Sequence, residues 1–171
     1  MKNTLILLLF VLPLFCFSQS NSINDFYSKY KNHKDITTFT ISGGLIKFAA
    51  SFEEDGNAKI LEKISQVKLL IGDGNLITKN DYKVLTKGLK NDSFEDLMQI
   101  NAEGTKVNIL IRENGNNISD VVLLVNDGND FILISLEGNF QYSDLNDLNL
   151  NFKGGEYLKK LPENRKSIPR A

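Results

Sequence analysis

Hard oxygen ligands gather most densely in the run VNDGND, from Val125 to Asp130. Asp127, Asn129 and Asp130 could offer carboxylate and amide oxygens to calcium. An EF-hand loop needs further acidic ligands at fixed offsets and a closing Glu, and Phe131-Ile132-Leu133 occupies that space. An Asp-Gly turn between two strands accounts for the run with fewer demands. A second candidate is Ser42-Gly43-Gly44, which follows a strand pattern and precedes a helical one, so its amides could cradle a phosphate. It lacks the Lys-Ser/Thr ending of a P-loop and the third glycine of a dinucleotide fingerprint. The pair reads as a glycine break that lets the chain turn.

His33 is the only histidine, in the polar context YKNHKD. One imidazole with no acidic cluster near it in sequence makes no typical zinc site. No Gly-x-Ser-x-Gly turn exists to supply it with a nucleophile. The carboxylate groups Glu53-Glu54-Asp55, Asp144/Asp147 and Glu95/Asp96 could do acid–base work only if folding brought two of them into one cleft. Glu95 and Asp96 are neighbours on a strand pattern and should face opposite sides. No catalytic residue, metal ligand or cofactor is therefore assigned.

The elements that must position any site follow from periodicity. Ser22 is expected to cap a helix carrying Ile23, Phe26, Tyr27 and Tyr30 on one stripe. Ile36 to Ser42 reads as a strand, Leu45 to Phe52 as a short helix, and Ile60, Leu61, Ile64 and Val67 as another helical stripe. A second strand is expected over Val67 to Gly72, and a helix framed by Thr78 and Asp81 with Val84, Leu85 and Leu89. From Phe94 the period becomes two. FEDLMQINA, KVNILIRE, ISDVVLLV and DFILISLEG are separated by Glu103-Gly104, Asn114-Gly115-Asn116 and Asp127-Gly128-Asn129. Links this short permit only antiparallel neighbours, hence a four-stranded meander. Ser143-Asp144 is expected to cap a last helix with Leu145 and Leu148. The class is α+β: the meander plus two N-terminal strands in a mixed sheet, with helices packed mainly on one face.

One sheet face gathers Val107, Ile109, Ile111, Val121, Leu123, Val125, Ile132, Ile134 and Leu136, an apolar layer for the helices. The other mixes Gln99, Asn101, Lys106, Asn108 and Arg112 with Leu110, Val122, Leu124, Phe131 and Leu133. So apolar a face is rarely bare to water, and a further helix over it is the simpler expectation. Left open, it would be a partner surface using Leu110, Arg112, Leu133 and Glu137.

The leader MKNTLILLLFVLPLFCFSQS has one Lys and then an apolar run from Leu5 to Phe17, the pattern of a signal peptide. Cys16 and Ser18 suit cleavage after Ser18, while Phe15 is too large for lipidation at Cys16, the alternative reading. The expected organisation is a signal peptide 1–18, one domain over 19–150 and a loosely ordered tail over 151–171. A chain starting at Gln19 has no cysteine, so no disulfide and no thiol chemistry, and 19 basic against 21 acidic residues. That balance shows no nucleic-acid footprint, and no later segment is apolar enough to span a membrane.

The motifs FEDLMQINAEGTKVNILIREN, ISDVVLLVNDGNDFILISLEGNF and DLNDL, after FYSKYK, TTFTIS and KISQVKLLIG in order, resemble domain-of-unknown-function family 4252. The resemblance implies a small signal-peptide-bearing protein of Bacteroidota, exported to periplasm or medium. It brings no activity and no catalytic residues. The leading expectation is a non-catalytic exported module that binds another envelope protein, in sensing or regulation. A carrier of a small apolar ligand such as a lipid is the alternative, and a hydrolase with an acid–base pair assembled only in the fold ranks third.

Overall fold

A computed structural model describes residues 20–51, 58–102 and 104–147. The elements run α1 (Asn21–Tyr30), β1 (Ile36–Ser42), α2 (Gly43–Ala50), α3 (Ala58–Lys63), β2 (Ile64–Asp73), α4 (Lys79–Asn91), β3 (Glu95–Ala102), β4 (Thr105–Asn114), β5 (Asn117–Asn126), β6 (Asp130–Phe140) and α5 (Tyr142–Asp147). The expected signal peptide and tail lie outside the described residues.

All six strands form one sheet in the order β1-β2-β6-β5-β4-β3. The meander β3 to β6 is present as its short links demand. The expectation of a mixed sheet is corrected, because every neighbouring pair is antiparallel. Helical links commonly join parallel neighbours. Here α2 and α3 instead fold the chain back onto β1, and α4 carries it from β2 to the far edge of the sheet. The meander then returns strand by strand until β6 meets β2.

Helices cover both faces: the further helix expected over the second face is present, and the expectation that helices pack mainly on one face is corrected. On the first face Ile46, Ile60, Tyr142 and Leu145 of α2, α3 and α5 pack with Ile109, Val121, Leu123 and Leu136 of the sheet. On the second, Ile23, Phe26 and Tyr30 of α1 and Leu85 and Leu89 of α4 pack with Leu70, Leu110, Val122, Phe131 and Leu133. The reason is in the strands: both alternating sets are apolar, so each needs a cover to leave water.

Local boundaries moved for identifiable reasons. Ser20, not Ser22, caps α1, its Oγ accepting from the Ile23 amide at 3.4 Å. Ile64 and Val67 belong to β2 rather than to a helix, since a short apolar run satisfies either period. Gly43 is the first residue of α2 and lies directly on β2: a Cβ there would sit 2.7 Å from the Ser65 carbonyl oxygen. Its lack of a side chain sets the helix-to-strand distance.

Candidate functional site

The second face is covered by an antiparallel pair of helices pinned at both ends. Near the N-terminus of α4, Thr78 Oγ1 accepts from the Asp81 amide at 3.1 Å and donates to Asp81 Oδ2 at 2.8 Å. Asp81 also accepts from Lys29 Nζ and from the Tyr30 hydroxyl of α1, both at 2.6 Å. At the other end Asp92 accepts from Ser20 Oγ at 2.7 Å and from the Ser22 amide at 2.9 Å. Burial pushes the Asp92 carboxyl upward, but these hydrogen bonds outweigh it and hold its pKa below the ordinary value.

So placed, α4 turns Leu85 and Leu89 down onto the sheet and sets the Tyr82 ring edge-on to Phe131, 6.4 Å between centroids. Its other flank overhangs β3 and β4 and leaves a groove of about 440 Å³. Lys83, Lys87 and Lys90 stand on the helix side, at i, i+4 and i+7, with Lys106 on the strand side. Gln99, Asn101 and Asn108 supply amide groups along β3 and β4. Four ammonium groups thus share the groove with one carboxylate, Asp96. Asp96 pairs with Lys90 at 3.2 Å. Lys83, Lys87 and Lys106 enter no ion pair among the described residues.

Two polar groups in the groove are unusual. Asn108 is only 7% exposed, yet its Oδ1 has no hydrogen-bond partner. The pKa of the Tyr82 hydroxyl is raised by burial and by the charge of Asp96, with a hydrogen bond from Asn108 opposing them. The phenol therefore stays protonated near neutral pH. The groove presents exposed ammonium groups in excess over its single carboxylate, a setting for an anionic ligand.

The four residues expected on an open second face do not form a surface. Leu110 and Leu133 are fully buried beneath the two helices. Arg112 Nε donates to Asp120 Oδ2 at 2.8 Å, and its guanidinium lies 5.1 Å from the Phe94 ring centroid. Glu137 lies 3.5 Å from Lys68, whose Nζ also donates to Asn24 at 2.7 Å. Arg112, Asp120, Glu137 and Lys68 form a charged row across neighbouring strands at one end of the face.

The remaining candidates are dispersed. Asp127 Oδ1 accepts from the amides of Asn129 and Asp130 at 2.9 and 2.7 Å, closing a turn. No cluster of three or more His, Cys, Asp or Glu suited to a metal exists among the described residues. His33 is exposed, 3.9 Å from Asp35. Asp144 is held by Lys63 at 2.6 Å. Glu53, Glu54 and Asp55 lie outside the described residues. The lysines of α4 are absent from the residues singled out by sequence; their i, i+4, i+7 spacing marks a shared helix flank but not the strands that lie beside it.

Residues 30–148, which hold every strand of the sheet and the whole groove, match the family described as Domain of unknown function (DUF4252). The chain belongs to that family. Membership covers the order of motifs from Tyr30 onward, and with it α4, β3 and β4. No curated protein and no solved structure matches this DUF4252 chain. No helix among the described residues is long and apolar enough to cross a membrane.

Proposed function

We propose that this protein is an exported, non-catalytic binding module, and that the groove between α4 and β3–β4 receives an acidic segment of an envelope partner protein. The observation that carries the reading is the set Lys83, Lys87 and Lys106: three cations on one groove with no carboxylate of the described chain to neutralise them. Unpaired like charges repel one another, so an incoming anion relieves a cost already present in the free protein.

Binding is favoured over catalysis because Asp81, Asp120 and Asp144 are each held by a cation rather than gathered in a cleft. Carriage of a lipid is less favoured because Phe26, Leu85, Phe131 and Leu133 fill the space between helices and sheet. The test is titration of a glutamate-rich peptide into the chain beginning at Gln19. Affinity should fall steeply with added salt and fall about tenfold or more in Lys83→Glu/Lys87→Glu. Binding indifferent to both changes sinks the reading. The intact mass of protein matured in its host tests export separately: a chain starting at Gln19 is expected, and a lipidated Cys16 would make it a tethered lipoprotein.

A further inference from the structure

We propose that the acidic segment binds as an added antiparallel strand along the free edge of β3, a mode that rests on the groove reading above. Among the described residues, β3 ends the sheet and pairs only with β4. Ala102 and Thr105 face each other across a two-residue link, so they are the hydrogen-bonded closing pair of the hairpin. Alternation makes Ile100/Val107 and Met98/Ile109 bonded pairs as well, and turns the N–H and C=O of Gln99 and Asn101 outward. The edge is irregular only near its start, where the register shifts between Asp96 and Met98. Such bulges guard edges against pairing, and the stretch from Met98 to Ala102 has none.

Gln99 and Asn101 also line the groove with their side chains. Residues directly opposite in an antiparallel pair project to the same face. A partner residue bonded to the backbone of Gln99 or Asn101 therefore sends its own side chain into the groove, toward Lys83 and Lys87. Its neighbours point to the first face, where Met98 and Ile100 are only partly buried at the margin of the core. The occupant is thus specified by two periods at once: acidic at alternate positions, apolar between them, and extended. The edge supplies backbone affinity, and the lysines supply sign and register.

The probe is a fluorescein-labelled peptide alternating Glu and Val, followed by anisotropy at low salt against the chain beginning at Gln19. Two further peptides carry N-methyl groups, one on every Glu amide and one on every Val amide, with charge unchanged. In antiparallel addition the Glu amides face β3, so methylating them should weaken binding about tenfold or more, while methylating Val changes it less than about twofold. Lys83→Glu/Lys87→Glu should weaken the unmodified peptide about tenfold. Any other methylation pattern overturns antiparallel strand addition; if the lysine variant still loses binding, the groove reading survives it. No peptide binding, or an oligonucleotide that binds in its place, overturns both.

Discussion

The hydroxyl of Tyr30, at the end of α1, donates to Asp81 in the first turn of α4 at 2.6 Å. Both groups are largely screened from water, and the contact joins residues 51 apart in the chain. Burial and the hydrogen bond to Asp81 push the Tyr30 pKa up. The carboxylate in turn is held down to about 2, first by the hydrogen bond from Lys29, then by that from Tyr30. Because α4 forms one wall of the groove, this contact links the stability of the helix pair to the geometry of the site.

Asp81→Ala should cost about 1–3 kcal/mol, the range for losing a hydrogen-bonded carboxylate that also serves a helix start. Urea unfolding followed by circular dichroism measures it. A change within error would show that the α1–α4 contact is dispensable.

The same residue sets an acid limit. The unfolded chain binds the Asp81 proton near its ordinary 3.8 and the folded chain only near about 2. Its contribution is therefore complete above about pH 4 and is lost as pH falls toward 2. Thermal midpoints between pH 5 and pH 2 should fall less steeply in Asp81→Ala than in the parent.

Gly43 and Gly44 are adjacent in sequence but should respond in opposite ways to alanine. A Cβ at Gly43 would meet the backbone of Ser65 and Ile64 at 2.7–2.9 Å, whereas at Gly44 nothing lies within 4 Å. Gly43→Ala is expected to destabilise by about 1–3 kcal/mol through overpacking. Gly44→Ala is expected to stabilise by about 0.5–1 kcal/mol through helix propensity. Chemical denaturation of the two variants side by side decides it; equal signs would contradict the packing of α2 on β2.

Asp120 is 3% exposed beneath the helix pair, and removing its charge alone strands Arg112. Asp120→Ala should cost about 3–5 kcal/mol, while Arg112→Met/Asp120→Leu together should come close to the parent. A double variant no better than the single one would mean that the pair adds net stability.

Leu110→Ala should cost about 2–5 kcal/mol, since the side chain is fully buried between β4 and the helices. Binding of the acidic peptide by the folded fraction should be unchanged. A loss of binding at full folding would return Leu110 to the list of contact residues.

Much of this fold was legible in the chain itself. The meander from Glu95 to Phe140 follows from period-two patterning and links too short for anything but hairpins. Thr78 and Asp81 announced α4, because capping is a local interaction within one turn. Those signals involve neighbours a few residues apart, and the sequence alone carries them.

What the sequence did not settle depends on residues far apart in it. The two apolar sets of the sheet, led by Ile109 and Leu110, showed that both faces seek cover, but not which helices would provide it. Strand order and the all-antiparallel pairing were decided by where α4 crosses, a matter of packing over the whole sheet. The groove needs the lysines of α4 and the amides of β3 and β4 to meet across the margin of the second layer. Spacing determined that Lys83, Lys87 and Lys90 share a helix flank. Only tertiary packing placed that flank beside a free strand edge, because the position of one element over another is fixed by long-range burial and contacts such as Tyr30 with Asp81.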